Sequence, residues 1–350
     1  MPHGAAPGKQ AHPLVADRLP LVAAGSVLGD GAVARGPAGH PGGPVFRLPS
    51  GMHLPTAVNR FATRALIAPL LAPTLPVPVR RRGLDLVGAS VPLPRGTRRA
   101  RGELGGVPTE VVAPSVPFGP HRVLYLHGGG YLVGSAASHR PLLTGLAHAT
   151  GTPVHAPEYR LAPEHPFPAG LDDALAAWHA LRAAGHPAER IAVAGDSAGG
   201  GLTMALLLRL RADGEDLPGS VGLVSPWLDL GCTADAMTRN AASDAMLDPS
   251  WLPSAAADYA PGGVVAPELR PLDADLSGLP PLHVVAGSDE ILVDDADTLV
   301  ERARAAGGTV DYQRVEGMWH AFPTLAGLLA EADDVLGHLG AALRADCGVR

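Results

Sequence analysis

Short apolar runs recur through the C-terminal two thirds of the chain. Each is stopped by Gly, Pro or Asp, and most are followed by a stretch of helical period. The runs predict strands at Val107–Val112, Arg122–Leu126, Pro153–Glu158, Ile191–Ala194, Ser220–Val224, Leu282–Ala286 and Val310–Val315. The helical patterns cover Ser138–Ala149, Ala169–Ala184, Gly201–Arg211, Asp294–Ala306 and Thr324–Arg344. Strands alternating with helices imply an α/β fold: a mostly parallel, twisted sheet with helices on both faces. The alternation lapses over residues 230–277, which read as an insertion. Upstream, Val58, Phe61, Ala65, Leu66 and Leu70 predict a helix within Leu54–Leu71, limited by Pro69 and Pro73.

Composition changes this picture at one end only. Residues 1–51 are rich in Gly, Pro and Ala, hold no lasting period, and read as a disordered tail before an ordered body at 52–350. Leu19–Leu28 followed by Ala32-Val33-Ala34 imitates a secretory signal, but Asp17 precedes the apolar run and the basic start is thin. A cytoplasmic protein is therefore expected, with Met52 as an alternative start. The 350 residues are 46% hydrophobic, enough to build a core without a disulfide or metal staple. Cys232 and Cys347 are far apart and match no metal spacing. A net charge of −7 gives no general attraction to nucleic acid or to an anionic membrane, and no apolar run is long enough to span a bilayer. Arg80, Arg81 and Arg82, with Arg95, Arg98, Arg99 and Arg101, lack interleaved aromatics and read as a solvated basic face.

Chemistry concentrates where strands end, which is where parallel sheets bind ligands. Gly195-Asp196-Ser197-Ala198-Gly199 stands between a strand and a helix, the pattern of a nucleophile elbow. A turn that tight needs small neighbours, and it holds the Ser197 hydroxyl at the mouth of the sheet. His127-Gly128-Gly129-Gly130-Tyr131 follows an earlier strand. The amides of Gly128 and Gly129, with that of Ala198 at the helix start, are the expected oxyanion donors. Asp289, at the end of Leu282–Ala286, is the expected orienting acid, with Glu290 as its competitor. His320 follows Val310–Val315 and completes the chain order Ser, acid, His. Asp196 lies inside the elbow and reads as a turn anchor. Arg160, Glu164 and His165, in the segment Glu158–Ala169, read as pairing groups that fix a long loop. The expected pocket aromatics are Tyr131, Trp227 and Trp319. No cofactor or metal is called for.

Together, His127–Gly130, Tyr159–Ala169, Gly195–Gly199, Ser225-Pro226-Trp227-Leu228-Asp229, Gly287–Asp289 and Gly317–His320 resemble the hormone-sensitive-lipase-like (bacterial type IV) esterases, in their GDSAG subgroup. Asp289-Glu290-Ile291 departs from the Asp-Pro-Leu common in that family. The resemblance implies an α/β-hydrolase fold, a cap built from residues 52–85 and 230–277, and cleavage of short-chain carboxylic esters of small molecules. It also implies pairing of two copies through the last edge strand. Deacetylation of an N- or O-acetylated secondary metabolite is the alternative activity. A non-catalytic binding protein on the same scaffold is disfavoured because Ser197, Asp289 and His320 are all present. A nucleotide site is disfavoured because Ser197 stands where the dinucleotide fingerprint needs glycine.

Overall fold

The computed structural model describes residues 53–117 and 119–348. The expected tail, the signal-like run and the alternative start at Met52 lie outside the described residues. The chain opens with α1 (Thr56–Ala62), a π-turn (Thr63–Ile67), α2 (Ala68–Leu71) and α3 (Val77–Ser90). Pro69 does not end the first helical segment. It lacks an N–H and its ring crowds the carbonyl four residues back, and the wider π-turn ahead of it relieves both. Sequence patterning missed α3, whose first turn carries Pro78 and whose second carries the arginine triplet.

β1 (Thr97–Leu104), β2 (Val107–Pro114), β3 (Arg122–Leu126), α4 (Arg140–Thr150), β4 (Val154–Pro157), α5 (Ala169–Ala183), β5 (Ile191–Asp196), α6 (Ala198–Ala212) and β6 (Ser220–Val224) follow. Then come α7 (Ala236–Arg239), α8 (Trp251–Tyr259), β7 (Leu282–Gly287), α9 (Val293–Ala305), β8 (Val310–Val315) and α10 (Ala330–Asp346). The eight strands form one sheet in the order β1-β2-β4-β3-β5-β6-β7-β8. From β4 to β8 every pairing is parallel, while β2 runs antiparallel to both its neighbours. Strands β5, β6 and β7 are buried along their whole length, which explains their unbroken apolar runs. Alternate residues point to opposite faces. On β6, Gly222 meets Leu339 and Leu343 of α10, while Val221 and Leu223 pack with Met204 and Leu207 of α6 and with residues of α9.

The arginines do not form one solvated face. Arg80 is buried over the Trp251 ring, and Arg81 binds the carbonyls of Leu132 and Ala162 and the Glu164 carboxylate. Arg99 and Arg101 belong to β1, an edge strand that the sequence reading missed. With Arg140 they surround the Glu110 carboxylate. Charged side chains on such an edge discourage pairing with another chain. Arg160 forks onto Asp173, and Glu164 pairs with Arg81, so these two tie the long loop down, whereas the expected third group, the His165 side chain, forms no hydrogen bond or ion pair among the described residues. Among the described residues no helix is long and apolar enough to cross a membrane.

Candidate active site

Strand β5 ends in a sharp turn, and Ser197 sits on it with φ 52° and ψ −123°, a conformation that non-glycine residues rarely adopt. The backbone packing that forces this turn also fixes its neighbours. A Cβ at Gly199 would overlap the carbonyl oxygen of Leu126, and one at Gly195 would overlap that of Gly199. Four other non-glycine residues, all in segments that follow strands, share positive φ: Tyr131, Ser225, Cys232 and Ala321. Strain gathered at one end of a sheet is a mark of functional loops.

Asp196 ties the elbow to the glycine loop. Its Oδ1 accepts from the Gly128 amide at 2.9 Å and from the Tyr125 hydroxyl at 2.8 Å. Its Oδ2 lies 3.2 Å from His139 Nε2. His139 Nδ1 in turn lies 3.0 Å from the Ser135 carbonyl oxygen, an acceptor only. Nδ1 also lies 2.9 Å from Ser138 Oγ, whose own proton goes to the Ser135 carbonyl, so both ring nitrogens meet acceptors, which favours the doubly protonated ring. Burial alone would lower the His139 pKa, but the Asp196 charge and hydrogen bond outweigh it and the net direction is upward. Asp196 is held below the usual carboxylate range, burial being overcome by His139, Tyr125 and the Gly128 amide. The expected donor Gly128 is thus committed to Asp196 and does not face the cleft. Among the described residues the amides of Gly129, Gly130 and Ala198 have no acceptor.

The turn after β7 sends its two acids in different directions, and this corrects the expectation for Asp289. The Asp289 carboxylate bonds Arg60 of α1 at 2.8 Å. That guanidinium also binds the carbonyls of Ser243 and Gly317 and lies over the Trp319 ring. Glu290 turns inward and is fully buried. Its Oε2 accepts from the Ser225 hydroxyl at 2.6 Å and lies 3.8 Å from His320 Nδ1. The Ser225 oxygen also accepts from the Ala321 amide at 3.0 Å, so one hydroxyl joins the Glu290 and His320 loops. Neither His320 Nδ1 nor Glu290 Oε1 has a hydrogen-bond partner among the described residues. Burial lowers the His320 pKa to about 4 against the opposing charge of Asp196. Burial also raises Glu290 well above the usual range, the Ser225 bond opposing and the Asp244 charge adding. A neutral imidazole is the form a general base needs, and catalytic hydrogen bonds often shorten only when substrate binds.

A cleft with about 740 Å³ of empty space, the open solvent at its mouth included, runs over these groups. Ser197, His320, Asp196, His139 and Gly129 line its floor. Ile67, Leu71, Leu84, Val87 and Val91 wall it from the N-terminal helices, and Met246, Leu247 and Trp251 from the insertion. The expected pocket aromatics lie beneath this surface. Tyr131 stacks on Tyr259 at 3.7 Å between centroids, Trp227 is buried with its Nε1 donating to the Asp229 carbonyl, and Trp319 is buried under Arg60. Trp251, from the insertion, takes the wall position instead. Among the described residues no cluster of His, Cys, Asp or Glu is arranged to hold a metal ion.

Sequence reasoning also missed Asp244. Its Oδ1 accepts from the amides of Met246 at 2.9 Å, Leu247 at 3.3 Å and His320 at 3.4 Å, and its Oδ2 from that of Ile291 at 3.0 Å. Asn240 adds bonds to the carbonyls of Ser288 and Glu290. Nothing in a lone Asp among alanines flags such a role, because the four donors are backbone groups from three loops. Asp244→Asn is expected to lower stability by about 2–3 kcal/mol, read by equilibrium urea unfolding, because one charged acceptor becomes a donor against an amide. A variant as stable as the parent would show that other contacts hold these loops.

A sequence profile of the α/β hydrolase fold matches residues 123–324. The sheet order, the elbow at the end of β5 and the histidine loop after β8 place the chain among the α/β hydrolases. An acetyl-hydrolase of Streptomyces hygroscopicus is 40% identical over 246 residues, 70% of this chain and 82% of that protein. A carboxylesterase/phospholipase of Mycobacterium tuberculosis is 32% identical over 329 residues, 87% of this chain and 85% of that protein. The crystal structure of an esterase from the bacterial hormone-sensitive lipase family superposes with a TM-score of 0.80 at 38% identity, over 84% of this chain and 100% of that one. The chain belongs to the hormone-sensitive-lipase-like esterases of the α/β-hydrolase fold.

Proposed function

We propose that this chain hydrolyses carboxylic esters with short acyl groups, acetyl esters among them, through an acyl-enzyme on Ser197. The observation that carries the reading is the placing of Ser197 and His320 on one cleft floor, with the buried Glu290 carboxyl behind the histidine. His320 takes the proton of Ser197 as Oγ bonds to the ester carbonyl carbon, and the carbonyl π-electrons move to its oxygen. The amides of Gly129, Gly130 and Ala198 receive that oxyanion, Gly128 acting through Asp196 instead. Collapse breaks the ester C–O bond, and the alcohol leaves with the proton from His320. Water then bonds to the acyl carbon, gives its proton to His320, and Ser197 departs and regains it. Glu290 holds the imidazole in the right tautomer.

A short-chain preference follows from how closely the first helices sit on the sheet domain. Gly88 lets α3 rest against the backbone of Ala137 and Ser138, and Trp251 closes the wall beside Gly130. p-Nitrophenyl esters of two to six acyl carbons are expected to turn over faster than that of twelve. A preference for twelve would reverse the chain-length part, and inertness toward the whole series would remove the reading. Strand β8 leaves one edge of the sheet open, the surface through which two copies would pair.

A further inference from the structure

The N-terminal helices are apolar on two faces. The inner face walls the cleft through Ile67, Leu71, Leu84 and Val87. The outer face exposes Leu54, Val58, Phe61, Leu66, Val79 and Leu86, six of the eight large apolar side chains exposed among the described residues. Phe61, Leu66 and Leu86 are 73%, 63% and 69% exposed. Val58 and Phe61 share a side of α1, Leu54 stands just before its first turn, and Leu66 follows in the π-turn. Val79, Arg82 and Leu86 likewise share a side of α3. A surface helix that packs one apolar face ordinarily turns a polar one to water.

Charge on this segment is predominantly positive. Between His53 and Val91 stand five arginines and one aspartate, in a chain of net charge −7. That aspartate, Asp85, is engaged by the Ser135 hydroxyl. Arg82 is exposed with no acidic partner among the described residues, and Arg64 bonds only the carbonyl oxygens of Ala242 and Asp244. The acidity that argues against an anionic surface when averaged over the chain resides elsewhere in it.

We propose that this outer face docks on an anionic lipid surface, the apolar side chains entering the acyl boundary and Arg64 and Arg82 meeting the phosphates. A twofold pair of chains would set these arginines against their own kind, so charge favours lipid over a second copy. The use of such docking rests on the ester-hydrolase reading: the same helices wall the cleft, so a lipid-soluble ester would pass from the surface to Ser197 along apolar side chains.

Sedimentation of the full chain with vesicles tests this, comparing phosphatidylcholine alone with a phosphatidylglycerol mixture at low and physiological salt. Binding to the anionic vesicles is expected, weakening as salt rises. It should fall at least about tenfold in partition coefficient for Phe61→Asp combined with Leu66→Asp, and in the same direction for the milder Phe61→Ser. Turnover of dissolved p-nitrophenyl acetate should stay as in the parent, since neither side chain lines the cleft. No vesicle binding, or equal binding by the double variant, overturns the proposal. So does a parent chain that self-associates through this face while the double variant is monomeric. Vesicle binding without any ester turnover would remove the hydrolase reading and leave the docking surface standing.

Discussion

Ser197→Ala is expected to lower p-nitrophenyl acetate turnover by about ten-thousand-fold or more, with the fold intact. On the proposed mechanism the Ser197 hydroxyl, at the mouth of β5, carries the acyl intermediate, and residual catalysis would come from the oxyanion amides alone. Ser197 holds φ 52° at the start of α6. Alanine suits that backbone no better and no worse, so circular dichroism and thermal unfolding should match the parent. The measurement is active-site titration with a fluorophosphonate beside steady-state kinetics. A variant that still turns over within tenfold of the parent, or still takes the label, would place the nucleophile elsewhere.

The second large effect separates two neighbouring acids. Glu290→Gln is expected to reduce kcat by about a thousand- to ten-thousand-fold, because the amide keeps the shape but cannot hold the imidazole in its base tautomer. Asp289→Asn should change kcat by less than about threefold. Its carboxylate is partly exposed and pairs with Arg60, a contact of the kind that contributes about 1 kcal/mol or less. KM should stay near the parent value in both, since neither side chain lines the cleft. The opposite ranking would return the acid role to Asp289.

That pair also shows where the sequence stops being informative. Strand ends, the elbow and the order Ser, acid, His are written in apolar runs and glycines, because buried strands and tight turns each tolerate few residue types. Which of two adjacent carboxylates turns inward is decided by partners distant in sequence: Arg60, 229 residues away, draws Asp289 outward, and Ser225 and His320 receive Glu290. The aromatics misled for a similar reason. Tyr131, Trp227 and Trp319 adjoin the motifs but pack beneath them, whereas Trp251 reaches the cleft from an insertion with no motif of its own. Gly128 is a backbone donor whose acceptor, Asp196, no spacing rule names. Strand β1 and helix α3 escaped because arginine-rich and proline-rich stretches carry weak period, and tertiary contact overrides it.

On the proposed mechanism, the anchoring bonds divide the reaction between two supports. Nucleophile and oxyanion amides are joined through Asp196 to β5 and the loop after β3, all within the sheet layer. The proton-handling half is held from outside that layer: Asp244 and Asn240 grip the loops of His320 and Glu290, and Arg60 grips the same turn from α1. Amino-acid changes in the helices and insertion that reshape the cleft therefore act on proton transfer as well as on fit, while the oxyanion site stays as the sheet sets it. Lineages that diversify this enzyme by varying its outer segments would shift pH dependence and substrate range together.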